Sequence, residues 1–276
     1  MTSRSQAGAA LAAAHRSAPL QPRHGIVRLI AHRGSGHEHN DPAAPPENTL
    51  AGVEHGFAQG ADAVEIDVWR TADGVLVVHH DRTTDRTTDL TGIDVTEATY
   101  EQLHRASAGA WKSPAWRDTA IPTLAEVAAG VPSGRALVVE VEQGPQVVDD
   151  VLEVLTSARL AADRVVYISK NLDTAAELKR AAREQRVLWI VDTTPRWQIG
   201  GWAQGHRRGR DSARHGFDEP ADVGWLVDQA LRHDLDGLDT MFSYPPELPG
   251  HMRDASLTWM VWTVNDPRAI DVCLAD

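Results

Sequence analysis

AVEIDVWRTADGVLVVHHD, running from Ala63 to Asp81, brings two strand carboxylates, a turn and two adjacent histidines into nineteen residues. Val64, Ile66 and Val68 alternate with Glu65 and Asp67, the period-two pattern of a strand with one apolar face and one carboxylate face. Asp73-Gly74 is a two-residue turn signal, and Val75 to Val78 reads as the returning strand. With the turn centred between Asp73 and Gly74, facing residues have numbers that sum to 147, so Asp67 lies opposite His80 and His79 opposite Val68. A three-residue turn would shift that register and reverse the assignment. On the two-residue reading Glu65, Asp67 and His80 share a face, and two oxygen donors beside an imidazole suit a divalent cation with an acid or base next to it. Standing alone, the same residues also describe an edge hairpin with solvated charges.

Outward from the hairpin the chain alternates strand and helix. Ile26 to Ala31 is an apolar strand that runs into His32-Arg33-Gly34, followed by a Gly/Pro/Asn-rich loop to Pro46 and a helix capped at Asn48 that ends near Gln59. Beyond the hairpin, helices are predicted over Val95 to Ala106, Leu124 to Ala129, Gln146 to Ala158, Asp173 to Glu184 and Trp225 to His233. Strands are predicted over Ala136 to Glu142, Val165 to Ser169, Val187 to Val191, Leu235 to Asp239 and Leu257 to Asn265, and Asp266-Pro267 opens a last helix. This order implies an α/β fold with a parallel sheet. Seven strands fit a barrel, and the final barrel strand is missing, because Cys273 to Asp276 is too short to supply it.

The length suits one α/β barrel domain, placed over 25–276 behind a loose leader at 1–24. A formal net charge of −12 argues against a nucleic-acid partner or a polybasic membrane anchor. No stretch approaches the length of a membrane span, so stable membrane insertion is not expected, and the weak leader points to the cytoplasm. Lone Cys273 excludes an internal disulfide. With 24 arginines and only Lys112, Lys170 and Lys179 as lysines, a lysine at a strand end stands out. Oligomeric state cannot be read.

In βα folds the carboxyl ends of the strands gather at one rim. Here those ends carry His32-Arg33, Glu65 and Asp67, His80 on the return, Glu140 and Glu142, Ser169-Lys170, Asp192, Asp239 and Trp262 to Asn265. Histidines, carboxylates, an arginine and a lysine at one rim describe a metal-assisted site for an anion. Phosphodiester cleavage uses such a set best, since in-line attack and departure occupy opposite faces of phosphorus and call for two proton-transfer groups.

The motifs resemble the glycerophosphodiester phosphodiesterase family over nearly the whole chain after residue 26. Those carrying the likeness are His32-Arg33-Gly34, Pro46 to Thr49, Glu65 to Val68, Asp73-Gly74, Val77 to Asp81, Arg86-Thr87-Thr88, Ile121 to Leu124 and Val261 to Asn265. The resemblance implies a TIM-type (β/α) barrel, one divalent cation (calcium or magnesium), and hydrolysis of a small glycerophosphodiester to glycerol 3-phosphate and an alcohol. It makes His32 and His80 the acid/base pair and Glu65, Asp67 and Glu140 the metal ligands. Arg33 becomes a phosphate contact and Glu47 a supporting or occasional metal group.

Four departures stand out. Glu142 occupies a place where the family carries lysine, and Lys170, on the next strand where phenylalanine is usual, is read as the compensating cation. The loop after Gly34 is long and holds His37-Glu38-His39, either extra ligands or a solvated loop. The last strand is absent. Trp262 is read either as a stacking platform for substrate or as core, and the insertion from Thr193 to Asp222, with Trp197, Trp202 and four arginines, as a lid or a surface loop. Two alternatives stay open: phospholipase D-like cleavage of lysophospholipid or sphingolipid, and a barrel that binds a phosphodiester without turning it over.

Overall fold

The computed structural model describes residues 29–34, 41–193, 223–242 and 244–275. The leader, the His37-Glu38-His39 loop and nearly all of the tryptophan and arginine-rich insertion lie outside the described residues. Among the described residues, eight strands form one sheet: β1 (Ile30–Ala31), β2 (Ala63–Arg70), β3 (Leu76–Val78), β4 (Ala136–Val141), β5 (Val165–Ser169), β6 (Arg186–Val191), β7 (Gly237–Met241) and β8 (Thr258–Trp262). The order is β1-β2-β4-β5-β6-β7-β8, with every neighbour in that path parallel and β3 antiparallel on β2. The seven parallel strands are the seven predicted, and the sheet is curled with helices outside it.

Those helices are α1 (Leu50–Ala58), α2 (Tyr100–His104), α3 (Leu124–Gly130), α4 (Val148–Ser157), α5 (Leu172–Ala181), α6 (Val223–Arg232), α7 (Leu248–Asp254) and α8 (Pro267–Ala275). Among the described residues, no helix is long and apolar enough to cross a membrane.

Side-chain alternation divides the strands into two cores. Val64, Ile66, Val139, Tyr167 and Trp189 pack outward against residues of the helices such as Val53, Leu124, Val151 and Leu178. The opposite parity, Ala63, Ala136, Val138, Val166, Ile168, Leu188 and Ile190, packs inward with Ile30 of β1 and Met260 and Trp262 of β8. Both ends of the strand path thus share one interior, and each buried branched side chain contributes about 1.5–3 kcal/mol. Glu65, Asp67, Glu140 and Asp239 have the inward parity and line the upper interior.

Three local readings are corrected. The hairpin partners are Val68 with Val78, Trp69 with Val77 and Arg70 with Leu76, so the sum is 146 and not 147. The turn has three residues, closed by the Thr71 N–H donating to the Val75 carbonyl, with Gly74 at φ 86 supplying the left-handed residue of a bulged hairpin. Asn48 does not cap α1; Thr49 does, its hydroxyl accepting from the Gly52 N–H. β7 begins two residues later than expected, which sets Asp239 at mid-strand, because Asp236 is held outside the strand by Val187 and Lys179.

Candidate active site

His32, Arg33 and Gly34 turn the chain from β1 across the top of the barrel. Arg33 has φ 53 and Gly34 φ 81. A Cβ on Gly34 would lie 2.5 Å from the Gly52 backbone of α1, so the turn sits on the helix in a way that only glycine permits. The turn aims the Arg33 N–H at Glu65 Oε2 (2.9 Å) and its guanidinium at Glu47 Oε1 (2.9 Å) and Asp67 Oδ2 (3.5 Å).

Glu65, Asp67 and Glu140 stand on neighbouring strands β2 and β4, with Asp67 level with Glu140. All three are buried, and one oxygen from each falls within 4.8 Å of the others. Burial and the mutual repulsion with Asp67 and Glu140 hold Glu65 well above the ordinary carboxylate range, and burial with Glu142 does the same for Glu140. Glu65 Oε1 is buried with no hydrogen-bond partner. An orphaned oxygen within three crowded carboxylates is a donor set that fits a hard divalent cation. A second triad, Asp67, His80 and Glu142, also brings ligand atoms within 4.8 Å of one another.

Asp67 is itself held from behind. Asn48 Nδ2 donates to Asp67 Oδ2 at 2.7 Å, and the Asp67 N–H donates to Asn48 Oδ1 at 3.3 Å. Asn48 has φ 54, a conformation that asparagine tolerates better than most side chains. Against burial, the charges of His80 and Arg33 and the Asn48 hydrogen bond hold Asp67 below the ordinary range.

The corrected register would set His79 on the Asp67 face, and the His79 N–H does donate to the Asp67 carbonyl (3.0 Å). The strand stops at Val78, however, and the chain turns. His79 is buried with Nε2 3.3 Å from the Thr83 carbonyl, whereas the Trp69 indole N–H holds the His80 carbonyl at 3.0 Å and the His80 ring joins Asp67. His80 thus lies beside Asp67, as expected from the sequence, but through this turn of the chain and not through the two-residue register. Across the mouth, His32 Nε2 lies 3.9 Å from Glu65 Oε2, and desolvation and Arg33 lower its pKa to about 4, so the ring is neutral at neutral pH.

Two residues in the quoted motifs had been given no role. Asp81 Oδ1 lies 2.5 Å from His80 Nδ1, which fixes Nδ1 as the donor and leaves Nε2 free. Arg86 donates through Nε to Asp81 (2.6 Å) and through both terminal nitrogens to Glu47 (3.0 and 2.7 Å). Glu47 is thereby clamped between Arg33 and Arg86. An Arg five residues after Asp81 on an irregular loop carries no periodicity by which either contact could have been read.

Glu142 follows β4 and Lys170 follows β5. Lys170 Nζ bonds Glu140 and also reaches Glu142 at 3.3 Å. Trp262 ends β8 with its side chain against the interior cluster and its indole nitrogen buried without a partner.

Fold and rim together define a (β/α) barrel whose strand ends carry a cation-type carboxylate site beside histidines and guanidinium groups. The chain belongs to the glycerophosphoryl diester phosphodiesterase family, whose sequence profile matches residues 32–275. It is 32% identical over 164 residues to a glycerophosphodiester phosphodiesterase of Caldanaerobacter subterraneus, covering 58% of this chain and 64% of that one. It is 41% identical over 112 residues to human glycerophosphodiester phosphodiesterase 1, covering 40% of this chain and 31% of that protein, so the chain spans about a third of that relative. Among solved structures, an Oleispira antarctica phosphodiesterase in complex with the product sn-glycerol-3-phosphate superposes with a TM-score of 0.71 at 24% identity, covering 90% of this chain and 89% of that one. A Thermotoga maritima glycerophosphodiester phosphodiesterase gives a TM-score of 0.65 at 20% identity, covering 91% and 92%. At these identities the structural likeness is one of fold.

Proposed function

We propose that this chain hydrolyses glycerophosphodiesters to glycerol 3-phosphate and an alcohol with the help of one divalent cation, calcium or magnesium. The observation that carries the reading is the placement of two imidazoles from different strands, His32 and His80, around the Glu65, Asp67 and Glu140 oxygens and Arg33. Glu65, Asp67 and Glu140 would hold the cation, which supplies charge neutralisation for the non-bridging phosphoryl oxygens when bound.

The rest is done by side chains of this chain. Arg33 and Lys170 present N–H donors to the phosphoryl group. His32, neutral at neutral pH, accepts a proton from the attacking water as the new oxygen–phosphorus bond forms. His80, acting as an imidazolium whose Nδ1–H donates to Asp81, gives its Nε2 proton to the departing alkoxide as the opposite phosphorus–oxygen bond breaks. Trp262 forms part of the wall that contacts the organic end of the substrate. Glu47, clamped by two arginines, holds Arg33 in place.

The deciding assay measures release of a phosphate monoester from glycerophosphocholine and from lysophosphatidylcholine, with and without EDTA, for the native chain and His32→Ala. Hydrolysis of the first substrate that EDTA and His32→Ala both abolish is expected. Activity on neither diester, or activity indifferent to both treatments, would overturn the proposal, and preference for lysophosphatidylcholine would move it to the phospholipase D-like reading.

A further inference from the structure

Glu142 lies just past β4 and takes no part in the chemistry proposed above. Val139 and Val141 of β4 pack outward against the helices and Glu140 faces the carboxylate triad, so Glu142 continues the inward face one position nearer the rim. The Glu142 N–H donates to the Val68 carbonyl at 3.2 Å, which carries the β2-β4 ladder, and with it this alternation, one residue beyond the strand. Its side chain is 13% exposed, and one of its oxygens falls within 4.8 Å of ligand atoms of both Asp67 and His80.

His80 is held in this corner by the Trp69 indole N–H on its carbonyl and by Asp81 on Nδ1, so Nε2 is the ring atom that meets the leaving oxygen. A carboxylate beside that ring therefore stands beside the alcohol that departs. Lys170 does not cancel its charge: a single ammonium bonds Glu140 and reaches Glu142 at 3.3 Å, one positive charge between two carboxylates. A second metal ion among Asp67, His80 and Glu142 would have to take the Nε2 atom that the leaving group needs. The corner accepts without that conflict a positive charge carried by the leaving alcohol itself, a short distance beyond its oxygen, and it repels a negative one.

We infer that Glu142 selects the leaving alcohol by charge, favouring diesters whose alcohol carries an ammonium group, protonated or quaternary. The inference rests on the phosphodiesterase reading for the position of the phosphoryl group. It makes Glu142 a determinant of specificity that takes no proton.

Glycerophosphocholine and the 3,3-dimethylbutyl ester of glycerol phosphate have the same shape and differ by one positive charge. Calorimetry on the His32→Ala chain with magnesium present would measure the binding of each without turnover. Tighter binding of glycerophosphocholine by about 10-fold is expected. Glu142→Gln, added to that background, should bring the two affinities together by weakening glycerophosphocholine and not the neutral ester, and Glu142→Asp, which keeps the charge, should keep part of the preference. Were Glu142 only a counter-charge for Lys170, glutamine would shift both esters alike and preserve their ratio. That result would overturn the inference, as would equal affinities before the substitution or binding of neither ester. Hydrolysis by the chain with its native His32 checks the phosphodiesterase reading separately: a charge preference in binding with no hydrolysis of either ester would sink that reading and leave charge selection by Glu142 standing.

Discussion

Replacing Asp239 with asparagine should make the protein more stable at neutral pH while leaving its stability in acid unchanged. Burial among apolar side chains of the barrel, offset in part by the charge of Lys170, raises the Asp239 pKa from 3.8 to about 8. The unfolded chain releases this proton near 3.8 and the folded chain keeps it to about 8, so between those values the folded state binds more protons. Stability is therefore complete below 3.8 and is lost as pH rises toward 8, by about 1.4 kcal/mol per pH unit for one proton. By pH 7 the accumulated loss is about 4 kcal/mol, and asparagine, having no proton to hold, is spared it. Urea unfolding at about pH 4 and about pH 7, followed by tryptophan fluorescence, would measure the difference between the two proteins at each pH. Curves separated by the same amount at both pH values would refute the reasoning, since the carboxyl group would then titrate alike in the folded and unfolded chains.

Asn48→Ala should cost about 2–4 kcal/mol, combining the lost hydrogen bond to a buried carboxylate with the strain of alanine at φ 54; Asn48→Gly, which relieves the strain, should cost less, and equal midpoints in denaturant would dismiss the interaction. Asp81→Asn should lower kcat by about 10²- to 10³-fold with little change in KM, because it orients His80 and does not touch substrate; a change confined to KM would contradict that role. Lys170→Met should raise KM by about 10-fold or more through loss of a charge-assisted contact to phosphate, and unchanged kinetics would end the idea that it replaces the cation missing at Glu142.

The parts of the fold that follow from local chemistry were legible. Alternation of Val64, Ile66 and Val68 with Glu65 and Asp67 gave the inward and outward faces of β2, and β5 was read to the residue, because a run of branched side chains bounded by polar residues has one interpretation. The hairpin was not, since Asp73-Gly74 serves a two-residue turn and a three-residue bulged turn equally well, and only the Thr71 to Val75 closure distinguishes them. Asn48 was misread for a similar reason. Asparagine favours both helix caps and left-handed backbone, and what decides between them is Asp67, nineteen residues away in sequence. Arg86 and Asp81 could be quoted as motif members, but their contacts with Glu47 and His80 depend on the path of an irregular loop. Asp239 was placed at the rim because a leucine-bounded segment does not announce where its strand begins.

Lys170 lies between Glu140 and Glu142, contributed by a different strand from both. Neighbouring strands at a barrel rim offer interchangeable anchor points for one charge, so the acidic Glu142 on one strand is balanced by the basic Lys170 on the next. The two positions are then coupled through one charge. Either substitution alone passes through a protein with an unbalanced cluster, and the reciprocal exchange, Glu142→Lys with Lys170→Glu, should be milder than either of its halves.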